Sequence, residues 1–286
     1  MQFDWSTLGA KAPTALVRAR NLTHHAVQWV AKAARANLDA APDDSHASLT
    51  WAVQSGTFLS QPLPANGAQI RIGFRPRGFA LVLTRNDRPL DEFELGGRKD
   101  TSVAVWFDSA LRALGLKPAG DIELPYTLPS LPVSRGSAYH VSGETEAFDE
   151  LANWFDAAAD LLADVAAVHP GAGPVRCWPQ HLDIATLIAL DGGEGEAARS
   201  IGVGVSPGDA HYAQPYVYVS PSPRLKPAAL PPLPPPGHWH LKDFVAAVAT
   251  AEAIIVQPER GPLVRAFVDA AIEIGRARLQ EASGAS

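Results

Sequence analysis

The chain has 286 residues, 47% of them hydrophobic and 19% charged, with a formal charge of −6 and a pI near 5.8. That is enough apolar material for one large or two moderate domains, and too much for a mostly disordered chain. No lysine/arginine run or basic helix is present, so nucleic acid is not an expected partner; Arg71, Arg75 and Arg77 read as a solvated strand edge. The single cysteine, Cys177, excludes an internal disulfide and a cysteine-based structural zinc site. The opening MQFDWSTLGAKAP lacks the pattern of a secretory signal, and no stretch of about 18 apolar residues occurs. A cytoplasmic protein without a membrane segment is therefore expected.

Leu22, Ala26, Trp29 and Ala33 recur at helical spacing and predict a helix over 21–38. After the polar loop APDDSHAS, strand-like alternation follows: Leu49 and Trp51, then Ile70, Ile72 and Phe74, then 79–83, then Phe93 and Leu95. Asn86-Asp87 and Gly96-Gly97 supply turns. Val103, Phe107, Ala110 and Leu114 restore the helical period, with Asp100 or Thr101 as N-cap and Gly115 just past the end. The Pro/Gly/Ser-rich stretch 117–143 shows no clear period and reads as a connection. Phe148, Leu151, Phe155, Ala158, Leu162 and Val165 then predict a long amphipathic helix, its opposite face carrying Asp149, Asn153, Asp156, Asp160 and Asp164.

Strands are predicted at 181–190, 200–205, 215–219 and 238–241, and a last helix carries Leu263, Phe267, Ala270 and Ile274. The fold class is α+β: antiparallel sheets flanked by helices, in two helix–meander–helix halves at 1–116 and 144–286 joined by 117–143. An internal duplication and a common pattern met twice would both produce this rhythm. Residues 221–236, PSPRLKPAALPPLPPP, read as extended chain that serves either as a stiff connector or as a docking segment.

Polar chemistry is concentrated between Cys177 and His240. If 181–190 is extended, His181 and Asp183 share a face, with Cα atoms roughly 6–7 Å apart, while Leu182, Ile184, Ile188 and Leu190 point the other way. The next strand, SIGVGVS, has one apolar and one bare face, and bareness on a strand often marks close approach by a ligand or another backbone. Ser206-Pro207-Gly208-Asp209 fits a type II turn presenting Asp209 and His211. Tyr216 and Tyr218 share a face, as do His238 and His240. Imidazole and carboxylate suit zinc, iron or manganese, so His181, Asp183, His238 and His240 form a candidate set for a divalent metal. A metal-free pocket, or histidines satisfied structurally, would use the same residues.

Three other motifs fail on mechanics. Gly204-Val-Ser-Pro-Gly208 matches a nucleophile elbow, but Pro207 has no N–H to offer an oxyanion. Cys177 lies about 13 Å along an extended chain from His181 and reads as a small buried side chain. The glycines of 202–208 lack the lysine of a phosphate-binding loop. Neighbours on a helix diverge by about 100°, so His24 and His25 cannot face one site. His46 sits in a solvated turn, and Trp29, Trp51, Trp106 and Trp154 read as core, whereas Trp178 and Trp239 adjoin the polar cluster.

The segments LTHHAVQW, CWPQHLDIATLI, IGVGVSPGD, QPYVYV and GHWH resemble a bacterial domain-of-unknown-function family with patterns like Trp-Pro-His-His-Phe-Asp, Ser-Pro-Gly-Asp, Glu-Pro-Tyr and Trp-His. His181, Asp183, Asp209, Tyr212 and His240 match the pattern, while Gln180 stands in place of a histidine and Gln214 in place of a glutamate. The resemblance implies a site at 176–241 and no particular reaction. The expected function is a small-molecule enzyme, with or without a divalent metal. His181 and His240 would act as base, acid or ligand, Asp183 would orient or ligate, and Asp209 would fix the rim. Trp178, His211, Tyr212, Tyr216, Tyr218 and Trp239 would line the pocket. The alternatives are a non-catalytic small-ligand-binding protein and an interaction protein using the Pro-rich segment.

Overall fold

A computed structural model describes residues 2–65, 67–191, 198–227 and 230–284, the side chains of 282–284 excepted. The fold is α+β with antiparallel sheets, and the chain divides into two compact units. The first comprises Leu16–Ala152 with Arg176–Leu182; the second comprises Met1–Ala15, Asn153–Val175 and Asp183–Ser286. The units are thus interleaved along the chain rather than being the contiguous halves 1–116 and 144–286.

In the first unit, helices α1 (Val17–Ala26) and α2 (Gln28–Asn37) split the single predicted helix at Val27, and Leu22, Ala26, Trp29 and Ala33 are all buried. The sheet contains β1 (Leu49–Ala52), β2 (Thr57–Ser60), β3 (Leu63–Ala65), β4 (Ala68–Arg75), β5 (Ala80–Arg85) and β6 (Arg88–Glu94). With β7 (Arg176–Trp178), its order is β7-β1-β2-β4-β5-β6, and β3 pairs beside β4. Register places Trp51 opposite Phe58, Phe58 opposite Phe74 and Phe74 opposite Leu81, so one face carries a continuous apolar row. Such cross-strand pairs each contribute roughly 0.2–1 kcal/mol beyond burial, which alternation alone is enough to specify. Helix α3 (Asp100–Ala113) follows, with Lys99 rather than Asp100 at its N-cap and Gly115 at φ +78° closing it. Helix α4 (Thr145–Val168), which belongs to the second unit from Asn153 onward, buries the whole predicted stripe from Phe148 to Val165.

The second unit is built on β8 (Asp183–Ala189), β9 (Ser200–Ser206), β10 (Tyr216–Ser222), β11 (His238–His240) and β12 (Ala246–Thr250), in the order β11-β12-β10-β9-β8. Helices α5 (Ala251–Ile255) and α6 (Arg260–Gly284) end the chain. On one sheet face Ile188 pairs with Ile201, Ile184 with Val205, Val205 with Val217 and Val217 with Ala249. Helix α6 packs on β9 and β10. A Cβ at its Gly275 would lie 3.1 Å from Ile201 and 3.0 Å from Pro221, so the helix lies on the apolar side. Its buried stripe is Val264, Phe267, Val268, Ala271 and Ile272; the predicted Leu263, Ala270 and Ile274 lie at its margin. Arg265 ties α6 to α4 through Asp160 at 2.6 Å and Asp164 at 2.7 Å, two acids of the predicted polar face. No helix among the described residues is long and apolar enough to cross a membrane.

The N-terminal residues belong to the second unit for a definable reason. The Arg260 guanidinium donates to the carbonyls of Leu8 at 2.6 Å, Ser6 at 3.0 Å and Trp5 at 3.3 Å, gathering the carbonyls at the end of a short 3-10 turn. Bonds to a charged donor are worth about 1.5–3 kcal/mol each when the partner is removed. Arg260→Met is therefore expected to lower the stability measured by urea unfolding by about 2 kcal/mol. It should also speed amide exchange of residues 5–8; unchanged exchange there would show that the clasp does not hold the segment.

Candidate functional site

The strands of the second unit turn a second face away from α6, and the site residues are on it. Ala185, Gly204, Tyr218, Val248 and His238 are successive register partners across five strands. Asp183, Ser206, Tyr216 and His240 stand two residues along from members of that row, hence on the same face. The bare aspect of β9 has an intramolecular cause, at least at Gly204. A Cβ there would come within 2.5 Å of the Tyr218 ring, so the glycine is required by a neighbouring side chain. Lying across Gly204, Tyr218 donates its hydroxyl to Asp183 Oδ2 at 2.5 Å, and Asp183 is only 8% exposed. Burial and then the Asp183 charge hold the Tyr218 phenol well above its ordinary range.

Asp209 organises the loop that follows β9. Its Oδ1 accepts the backbone N–H groups of His211 at 2.7 Å and Tyr212 at 2.9 Å, and its Oδ2 accepts the Tyr216 hydroxyl at 2.6 Å. Gly208, just before it, takes a left-handed φ of +107°, and the Asp209 N–H turns to the Tyr212 carbonyl at 2.8 Å rather than closing the predicted type II turn on Ser206. Asp209 thus positions the loop and the Tyr216 ring. The loop carries Tyr212, whose hydroxyl lies 2.8 Å from His240 Nδ1 and 3.1 Å from His238 Nε2.

The proton positions in that trio follow from valence. His240 Nε2 faces the Lys242 carbonyl, which only accepts, so Nε2 carries the hydrogen. In the neutral ring Nδ1 is then an acceptor, and it takes the Tyr212 hydroxyl proton. The Tyr212 oxygen is left to accept His238 Nε2–H, which leaves His238 Nδ1 as a basic lone pair. Burial and then His240 lower the His238 pKa, favouring the neutral base. Burial and Asp209 raise the Tyr212 pKa, keeping its proton in place. The His240 ring stacks on Phe244 with centroids 4.1 Å apart, and His211 stands edge-on to both.

His181 departs from expectation. Strand β8 begins at Asp183, and 179–182 form a turn in which the N–H groups of His181 and Leu182 both reach the Trp178 carbonyl, at 3.2 and 2.7 Å. Leu182 takes a left-handed φ of +56° while only 2% exposed. The strain costs about 1–2 kcal/mol and burial of a leucine returns about 1.5–3, so burial wins and the alternation from 181 to 183 breaks. His181 is exposed and assigned to the first unit, Asp183 to the second. Among the described residues no three His, Cys, Asp or Glu side chains are gathered to hold a metal, so the set His181, Asp183, His238 and His240 is not assembled as one. Trp239, on the face opposite His238 and His240, donates its indole N–H to the Pro231 carbonyl at 2.7 Å. It anchors the Pro-rich segment rather than forming a pocket wall beside the two histidines. Trp178 is half-buried on β7, and Cys177 is buried opposite Leu49. Gln214 bonds Glu252 through both amide atoms, at 2.9 and 2.8 Å, at the start of α5.

The first unit contains a cleft that the motifs did not flag. Its volume is about 610 Å³, and its floor includes Trp29 and Tyr139, 5% and 1% exposed. Tyr139 donates to Asp100 Oδ1 at 2.7 Å and receives the Trp29 indole N–H at 3.4 Å. Lys32 lies 5.1 Å over the Trp29 ring and donates to the Gly120 carbonyl at 3.1 Å; burial lowers its pKa, opposed by Asp100 and Asp121. The roof is the segment 120–128, predicted as featureless connection. Ile122, Leu124, Tyr126 and Leu128 are half-buried and alternate with exposed Asp121, Glu123, Pro125 and Thr127. It is pinned by Tyr126 to Gln28 at 2.8 Å and by His25 to the Pro129 carbonyl at 2.5 Å. His24 instead donates to the Pro179 carbonyl at 2.9 Å, so the two histidines diverge, and burial pulls the His24 pKa down to about 4.

Comparison with protein-family models, curated proteins and solved structures returned no match. The family resemblance therefore rests on the motifs alone.

Tyr216 and Tyr218 keep their protons beyond the ordinary phenol value of 10.0. In the unfolded chain both ionise near pH 10. Their folded-state stabilisation is therefore whole below that pH and lost as pH rises, at about 1.4 kcal/mol per unit for each group. Tyr218→Phe is expected to cost about 1–3 kcal/mol at neutral pH and to make the alkaline fall shallower by one such group. Urea titrations between about pH 9 and 11 check both effects, and an unaltered slope would contradict the buried phenol.

Proposed function

We propose that the second unit carries a metal-free acid–base centre for a small polar molecule. In this reading His238 exchanges the proton with the substrate, and Tyr212 and His240 orient its ring and stabilise its charge. One observation carries the reading: a single phenolic oxygen lies between two imidazole nitrogens at 3.1 and 2.8 Å, and the second imidazole is fixed in one tautomer by a backbone carbonyl. That arrangement leaves His238 Nδ1 as the acceptor, with His238 itself exposed to incoming molecules. On taking a proton at Nδ1, His238 becomes an imidazolium whose Nε2–H still bonds Tyr212. The Tyr212–His240 hydrogen bond then stabilises the charge by polarisation, without a further proton leaving the chain. Asp209 holds Tyr212 in place between the two imidazoles.

A second reading is a non-catalytic ligand-binding face. It is favoured by the closed Tyr218–Asp183 and Tyr216–Asp209 pairs, which fix an aromatic wall rather than present reactive groups. The Pro-rich segment is folded against its own chain by Trp239, which supports the connector reading over the docking one.

Turnover of a panel of small carboxylic esters, amides and phosphate esters separates the two main readings. The enzyme reading expects hydrolysis of one class, with a rate rising as His238 loses its proton below the ordinary histidine value of 6.5. It also expects a loss of at least about 100-fold in His238→Ala and about tenfold in Tyr212→Phe. Equal rates in the wild type and His238→Ala would remove the centre. Binding without turnover of any class would leave the second reading.

A further inference from the structure

The cleft of the first unit shares no residue with the acid–base face and has an electrostatic balance of its own. Three carboxylates line it, Asp100, Asp121 and Glu123, against a single ammonium, Lys32. That ammonium is already engaged: the Gly120 carbonyl accepts from it, the Trp29 ring lies beneath it, and Asp100 and Asp121 both act on it. Arg35, whose guanidinium lies 5.8 Å from the Tyr126 ring, is paired with Asp44. Among the described residues no cation of the cleft is left to receive an anionic ligand, whereas carboxylate charge is left over at its mouth.

The geometry separates that charge from an apolar interior. Asp121 and Glu123 are exposed on the rim, while Ile122, Leu124 and Leu128 of the same segment turn inward above Trp29 and Tyr139. A volume of about 610 Å³ falls within the roughly 300–1,000 Å³ typical of small-molecule sites and is too large for a bare inorganic ion. The rings already attract cations, as the positions of Lys32 and Arg35 show.

We infer that this cleft is a binding site for an organic amine with an aromatic or aliphatic body, the body lying between roof and floor and the ammonium emerging between Asp121 and Glu123. An acid of the same shape would meet the rim carboxylates with like charge, and a neutral analogue would gain only the apolar contact. Because the rim is exposed, the preference for the amine is screened by salt.

Three matched probes test it by isothermal titration against the full chain: 2-phenylethylamine, 2-phenylethanol and 3-phenylpropionate. The amine should bind at least several-fold more tightly than the alcohol, and the carboxylate most weakly. The difference should shrink as sodium chloride is raised. Asp121→Asn with Glu123→Gln, both exposed and therefore compatible with folding, should weaken the amine roughly tenfold and leave the alcohol unchanged. Leu124→Ala should weaken amine and alcohol together, which reports on the interior. Amine affinity equal to that of the alcohol, amine affinity unchanged in the double variant, or no binding of any probe up to about 10 mM, would each overturn the proposal. The acid–base reading stands or falls separately, because His238→Ala leaves this cleft intact.

Discussion

Asp183 stands at the first position of β8 with little access to water, and burying a carboxylate costs several kcal/mol unless donors face it. The Tyr218 hydroxyl is such a donor, and a hydrogen bond to an ionised acceptor is about twice as strong as a neutral one. For that hydroxyl to arrive, the ring has to cross β9, and it crosses where Gly204 offers no Cβ. One acid, one phenol and one glycine from three adjacent strands therefore specify one another. Much else on this sheet face follows from the placement of that ring. Tyr216 lies 6.1 Å from Tyr218, Tyr212 lies 4.9 Å from Tyr216, and the His240 ring lies 5.5 Å from Tyr212.

The two candidate sites use aromatic residues in different ways. On the second unit the tyrosines act through their hydroxyls, each aimed at a carboxylate or imidazole, and the rings keep those bonds in a medium of reduced polarity. In the first unit Trp29 and Tyr126 also offer their faces, to Lys32 and Arg35, while the Tyr126 and Tyr139 hydroxyls are tied to Gln28 and Asp100. The first arrangement favours proton movement along fixed directions. The second favours recognition of a charge and a flat or chain-like body.

Much of the scaffold was legible in the sequence because period 2 and period 3.6 survive where one face is buried. The stripe from Phe148 to Val165 and the alternation of Ile70, Ile72 and Phe74 are of this kind. Strand β12 was invisible for the converse reason: Ala246 to Ala249 are all buried, so no alternation remains. The shared face of His238 and His240 was readable from spacing. The placing of His181 was not, because a left-handed leucine breaks the strand between it and Asp183. Tyr212 was legible only as pocket lining; its position between two imidazoles depends on the loop fold around Asp209. The cleft was hidden more deeply. Its parts come from α1, α2, the start of α3, Tyr139 and the segment 120–128, whose unbroken period of two lies within a proline-rich stretch and pairs with no strand.

The clasp at Arg260 bears on how the molecule is assembled as it is made. The carbonyls of Trp5, Ser6 and Leu8 precede their guanidinium partner by more than 250 residues. Closing a chain segment of that length costs about 2 kcal/mol more than closing one tenfold shorter. On the ribosome, residues of the first unit can begin packing while this leading segment has no place to dock. Residues 5–8 must wait until Arg260 has been synthesised, so their docking follows the synthesis of the chain between.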